Sequence, residues 1–313
     1  MRKTISFLYI VATLIMSASC TDSIGLGQID KEGARLVVYA FPTEGDTVDI
    51  TISQVYPLNT KWDALQIESV KCSTNNSLDR IINRGDTIFN GFTIARYAAI
   101  GCHRSGDRIS ITVSAKNLPE VSGCTIIPEC PTIVDARLDT MSFRGTPYPL
   151  VRLAMRDNAS TPFYAVQVEG VFSDEYKNEA WNYIGSQSSA SVSLKVDAEP
   201  LFANNSSADI DLGIGDSNFY NQIYTFSNSS FVDGTATLHL YVDTGLPYMF
   251  REYRPHLLAL SQEYNAMLRS LNGISNNDFG KYGFAFAYST YTNVHGGYGC
   301  IGAYAKSTAC VAQ

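Results

Sequence analysis

Cys20 is the residue whose setting most directly implies a reaction. It follows Ser17, Ala18 and Ser19, after an uncharged, mostly apolar run over residues 5–16 and a positive start at Arg2 and Lys3. Charged, then apolar, then small is the order of a bacterial export signal. The apolar run is shorter than the ~20 residues a membrane span requires. Small residues let a peptidase grip extended backbone, and a cysteine at the cut lets the new N-terminus carry acyl chains such as palmitate. Cys20 is therefore read as the lipidated first residue of the mature chain, with residues 1–19 as the signal peptide. Ser17 stands where lipoprotein signals favour Leu, and an ordinary cysteine after a plain secretory signal is the alternative. One acyl chain holds a protein only marginally to a bilayer, whereas two or more hold it stably.

Other chemistry-bearing types give weaker patterns. The chain has seven cysteines, so lipidation of Cys20 leaves an even six: Cys72, Cys102, Cys124, Cys130, Cys300 and Cys310. An exported protein permits disulfides, and the six are expected to pair: Cys124–Cys130 would close a proline-containing loop, Cys300–Cys310 would pin the C-terminus and Cys72–Cys102 would bridge strands, with all fifteen connectivities open. None has the C-x-x-C spacing of a zinc ribbon or thioredoxin site. Gly297-Tyr298-Gly299-Cys300-Ile301-Gly302 spells a dinucleotide loop. That loop needs a following helix to present its N-terminus to a pyrophosphate, and no helical pattern follows. It reads as a glycine-rich turn where backbones pass closely. His103, His239, His256 and His295 lack metal-ligand spacing, so no metal or other cofactor is expected. Asp209, Asp211 and Asp216 offer oxygen ligands for calcium but lack the EF-hand spacing, and read as solvated loop carboxylates. No nucleophile elbow is present, and Asp174-Glu175 sit together on an expected turn, so the chain reads as non-catalytic. Among the C-terminal aromatics, Phe284 and Phe286 suit a core. Tyr291 and Tyr298, beside Gly296-Gly297, are the candidates for stacking on a ligand.

The elements that would position these residues are mostly strands. Residues 21–34 lack periodicity and read as a tether, giving a lipidated tether over 20–34. Val48, Ile50 and Ile52 alternate with polar residues, as do Ile109, Ile111 and Val113, and Leu238, Leu240 and Val242. That is the period of half-buried strands. Short strands separated by Gly/Asp/Asn turns argue for an antiparallel sandwich. The expected organisation is an Ig-like β-sandwich over residues 35–130 and a second β-rich domain over 131–313. Strands are expected at 36–41, 65–70, 87–94, 151–155, 163–172 and 301–304, among others, and residues 118–131 read as a proline-bearing connector. One amphipathic helix is expected at about 256–272, on the spacing of Leu257, Leu260, Tyr264, Met267, Leu268 and Leu271.

Composition narrows the partners. The formal charge is −7, and losing the two basic leader residues takes it to −9. Nucleic-acid binding needs clustered Lys and Arg for phosphates, so that class is excluded. Charged residues make up only 17% of the chain, so hydroxyls and amides carry much of its polarity.

The order of segments is also informative. The cysteine leader is followed by Leu36-Val37-Val38, then Thr125-Ile126-Ile127-Pro128 and Pro131-Thr132-Ile133. Asp157 precedes Phe163-Tyr164, and Asp216-Ser217-Asn218-Phe219 precedes a Tyr-containing strand. Leu260-Ser261-Gln262-Glu263-Tyr264 leads to Leu268-Arg269-Ser270-Leu271. The chain closes on Asn293-Val294-His295-Gly296-Gly297-Tyr298-Gly299 with Gly302-Ala303-Tyr304. Across nearly the whole mature length this resembles a Bacteroidetes-type outer-membrane lipoprotein family with a conserved domain of unknown function. The resemblance implies a lipid-anchored outer-membrane protein, often encoded beside TonB-dependent receptors, and no catalytic residues. Only Asp22 supplies acidity just after Cys20, so surface-exposed and periplasm-facing positions both stay open.

Together these readings favour an accessory protein that binds an unknown nutrient and serves TonB-dependent uptake. A structural or adhesive envelope lipoprotein is the alternative, and an unrecognised hydrolase a third.

Overall fold

The computed structural model describes residues 33–56, 64–89, 92–177, 183–203, 219–243, 250–276 and 289–312, with backbone alone for 173–177 and 183–187. The fold is mainly β. Among the described residues four sheets build it, and their alternating burial follows from the period-two sequences noted above.

The first two sheets enclose one core. The five-stranded sheet contains β1 (Arg35–Ala40), β2 (Gly45–Val55), β5 (Arg80–Phe89), β6 (Phe92–His103) and β17 (Tyr298–Ile301), in the order β17-β1-β2-β6-β5. Its partner contains β3 (Ile67–Thr74), β4 (Ser77–Leu78), β7 (Arg108–Ala115) and β8 (Val121–Ile126), in the order β4-β3-β7-β8. Leu36, Val38, Ile50 and Ile52 from one sheet and Ile109, Ile111 and Val113 from the other share the buried cluster.

The remaining sheets enclose a second core. One contains β9 (Thr132–Phe143), β10 (Thr146–Arg156), β13 (Ser193–Leu194) and β15 (Thr235–Asp243). The other contains β11 (Phe163–Lys177), β12 (Tyr183–Ser191), β14 (Tyr224–Ser227), β16 (Glu252–Leu260), β18 (Tyr304–Thr308) and β19 (Val311–Ala312). Val151, Leu153, Val166, Val168, Leu238, Leu240 and Leu257 meet between them. Tyr164 is fully buried there, and its hydroxyl donates to Asp157 Oδ1 at 2.5 Å.

Three expectations about elements need correction. Residues 118–131 are not a bare connector, because β8 lies inside them. Its inward residues are Val121, Gly123 and Thr125, two of which carry little apolar signal. The strand expected over 87–94 is two strands: Phe89 pairs with Phe92, so Asn90-Gly91 joins β5 to β6. An Asn-Gly pair between apolar runs is a strong short-range hairpin signal.

The third correction concerns the helix. Residues 252–260 form a strand, and the helix α1 spans Gln262–Asn276. Leu257 and Leu260 therefore belong to β16, whose burial alternates before its end becomes buried on both faces. Pro255 is tolerated within this inner strand for a specific reason. Its carbonyl accepts from Ala309 N, between β18 and β19, so its missing N–H faces the gap between those two short strands. Ser261 is the N-cap: its Oγ accepts from Tyr264 N at 3.2 Å, and from Ala303 N at 3.0 Å. The Ser261→Ala substitution therefore removes a cap and strands a buried amide. We expect a loss of about 2–3 kcal/mol in urea unfolding; a change below about 0.5 kcal/mol would remove Ser261 from this role.

Candidate functional site

The glycine run is a seam between strands. β17 lies parallel to β1, with Val37 opposite Tyr298 and Ala40 opposite Ile301. Gly299 has φ +113, and a Cβ there would lie 2.0 Å from the Val38 carbonyl oxygen. A Cβ on Gly297 would lie 2.5 Å from the Leu36 carbonyl oxygen. No other residue fits at that separation. β18 follows, not a helix, so the spelling of a phosphate loop is met without its cradle. Asn293 pins the seam: its Nδ2 donates to the Ile301 and Cys124 carbonyls, while its Oδ1 accepts from Ile301 N. From sequence alone Asn293 has no role beyond its place in the closing motif, although an Asn three residues before a glycine pair is of a type that staples backbone.

Alternation along the seam creates a second surface. Leu36, Val38 and Ala40 face the core, so Val37 and Tyr39 face the other way. On β17, Ile301 joins the core and Tyr298 and Cys300 take the opposite face. α1 covers part of that face, where the Cys300 thiol lies 3.7 Å from the Glu263 carbonyl oxygen. A ladder of rings follows. Tyr39 and Phe41 have centroids 6.3 Å apart, Phe41 and Tyr264 4.9 Å, and Tyr264 and Tyr304 5.8 Å. Tyr298 is 41% exposed and Tyr220 40% exposed.

Three phenols here, Tyr39, Tyr264 and Tyr291, are held in the protonated form. Burial raises Tyr39, with Cys300 and Tyr220 adding to it. Tyr264 is pushed up to about 12 by burial, then by Tyr304, Cys300 and Tyr220. Tyr291 is raised by burial, then by Glu263 and Cys300, and its backbone N–H donates to Ser270 Oγ of α1 at 3.0 Å. Of the two predicted tyrosines, Tyr291 is thus half-buried beside the helix, and Tyr298 is exposed on the strand. The result is a surface of neutral, amphipathic rings. Such rings stack on flat or hydroxyl-rich molecules and donate or accept single hydrogen bonds at their tips.

A second polar cluster sits on the last sheet. His256 Nδ1 lies 2.8 Å from Thr308 Oγ1, and its Nε2 lies 3.6 Å from Glu169 Oε2. Glu169 also accepts from Ser189 Oγ at 2.6 Å. Burial lowers the His256 pKa, Lys306 lowers it further, and Glu169 opposes both. Hydroxyl, imidazole and carboxylate are all present, but they are cross-strand neighbours on a sheet face: Gln167, His256 and Thr308 are in register. We read the cluster as sheet-stabilising pairs.

The other histidines are dispersed. His103 is buried and bonded to Thr74 Oγ1, His239 lies on β15, and His295 exchanges backbone hydrogen bonds with Ser122. Among the described residues no three His, Cys, Asp or Glu side chains gather as metal ligands. Cys20, Asp209, Asp211, Asp216, Phe284 and Phe286 lie outside the described residues, as do the side chains of Asp174 and Glu175.

The expected disulfides are not formed. Cys72, Cys102, Cys124, Cys130, Cys300 and Cys310 are all free thiols. The faces of the strands explain this. Cys72 points into the first core while Cys102 is exposed, and Cys300 is buried under α1 while Cys310 is exposed. Cys124 lies 2.9 Å from Arg108 Nη2, and Cys130 3.2 Å from Ser307 Oγ. Burial raises the Cys72 thiol, with Asp79 adding to it, and pushes Cys300 up to about 12, with Glu263 adding to it. Both therefore stay as unreactive thiols at pH 8. A thiol reagent should count all six in denaturant without reductant, and should leave Cys72 and Cys300 unlabelled in the folded protein. A count of none or two in denaturant would restore the disulfides.

Among curated proteins, none matches the chain. A solved structure, that of the Yersinia pseudotuberculosis adhesin InvE, is 11% identical to it, with 74% of this chain and 57% of that chain covered and a TM-score of 0.20. Residues 26–309 match a family described as a domain of unknown function, DUF4249, and the chain belongs to that family.

Proposed function

We propose that this protein is a lipid-anchored, non-catalytic accessory of the bacterial outer membrane, serving TonB-dependent nutrient uptake. Cys20 carries the anchor, and the body captures its ligand without covalent chemistry before a partner receptor takes it. The observation that carries the binding half is the tyrosine face: Tyr39, Phe41, Tyr264 and Tyr304 form a continuous half-buried ladder beside exposed Tyr298 and Tyr220. Rings already held by packing lose little conformational entropy when a ligand stacks on them. The leader supports the anchor, and the resemblance to envelope lipoproteins encoded beside TonB-dependent receptors supports the partner.

Two measurements test this. A tagged fatty acid fed to cells should label the wild-type protein and not the Cys20→Ala variant; equal labelling of both would refute the anchor. Deletion of the protein should slow growth on one nutrient of a panel at limiting concentration, and a Tyr220→Ala/Tyr298→Ala double variant should reproduce that defect while folding normally. Growth unchanged by deletion across the panel would refute the uptake role.

A further inference from the structure

One end of the first sandwich carries an apolar tip that no core explains. β5 and β6 form a hairpin whose last pairs are Asp86 with Ala95, Thr87 with Ile94, Ile88 with Thr93 and Phe89 with Phe92. Ala95 is 3% exposed and belongs to the core. Ile88 lies two residues further out on the same strand face, yet it is 75% exposed. The hairpin therefore runs past the end of the core. Phe89 is 63% exposed and Phe92 42% exposed at the same tip. Exposed Ile and Phe side chains grouped at one point cost solubility, and such patches mark interaction surfaces.

The position of the tip in the sheet suggests what covers it. β1 and β2 are neighbours joined by only four residues, 41–44, so they run antiparallel. β2 pairs antiparallel with β6, and β6 with β5. The start of β1, at Arg35, therefore lies at the same end of the sheet as the tip. The chain from Cys20 arrives at that end. Its fourteen intervening residues, 21–34, reach at most ~50 Å when extended. The tip lies on the order of 20 Å from Arg35, counting rise along the strand and spacing across it. Back from the tip the surface turns polar: Arg35 donates to the Gly296 carbonyl at 3.4 Å, and Glu120 is exposed beside Gly296. The apolar tip is small, which suits shallow entry into a bilayer interface and not a span.

We infer that Ile88, Phe89 and Phe92 form a second membrane contact, which inserts into the acyl region of the bilayer that holds the anchor. The inference rests on the lipid anchor proposed above for the direction from which the membrane is approached. A tip seated in the bilayer restricts the tilt of the sandwich more than the anchor at Cys20 does alone. The tyrosine face would then be held at a set angle to the membrane plane.

The test uses the full mature chain carrying Cys20→Ala, so that no acyl group contributes, with phosphatidylethanolamine/phosphatidylglycerol vesicles. A tryptophan at the tip, Phe89→Trp, should shift its emission to the blue on vesicle addition and be quenched by brominated acyl chains. Val134→Trp, on exposed β9, should do neither. Ile88→Asp/Phe89→Asp should lower vesicle partitioning about tenfold. Equal responses at positions 89 and 134, or unchanged partitioning, would overturn the inference. A concentration-dependent blue shift at position 89 without vesicles would overturn it in favour of self-association. Failure of fatty-acid labelling at Cys20 would remove the anchor while leaving the tip signals readable on their own.

Discussion

The close approach of β17 to β1 is the constraint on which the rest depends. At Gly299 the two backbones leave no room for a side chain, and a Cβ would lie 2.0 Å from a carbonyl oxygen. That contact lets a strand from near the C-terminus complete the sheet that the first described strand begins. Parallel pairing at this edge fixes which way each neighbour points. Ile301 seals the first core, and Tyr298 and Cys300 turn outward beside Tyr39. α1 then starts at Ser261, whose side chain is bonded to Ala303 just beyond the seam. The candidate binding face is thus a by-product of alternation on two strands that only glycine allows to touch.

Much of this was legible in the chain. Alternating runs at 48–52, 109–113 and 238–242 became half-buried strands because a period of two has one structural solution when one face meets a core. The glycine run also read correctly as close-packed backbone, since no helical pattern followed it. Errors arose where two periods coexist. Leu257 and Leu260 continue the helical spacing of Tyr264 and Leu268, but Ser261 between them is the cap, and Pro255 lies where β18 and β19 leave a gap. Asn90-Gly91 carried a hairpin signal that reading residues 87–94 as one strand passed over.

The site was less legible because it is assembled from distant segments. Tyr291 and Tyr298 stood out locally, but Tyr39, Phe41 and Tyr220 gave no sign that they would join them. Tyrosine on a strand is ordinary in sequence, and only pairing tells which face it takes. The cysteines show the same limit from the other side. An even count suggested pairs, whereas exposure separates Cys72 from Cys102 and Cys300 from Cys310. A count carries no information about which face of a strand each thiol occupies.

Capture by one face of one sheet can be read directly in living cells. A photo-crosslinking aromatic residue placed at Tyr298 should trap a TonB-dependent receptor or the nutrient it carries. The same residue at Ile126, which is 52% exposed on β8, should not. Crosslinks of equal yield at both positions, or none at 298 while uptake proceeds normally, would contradict the assignment.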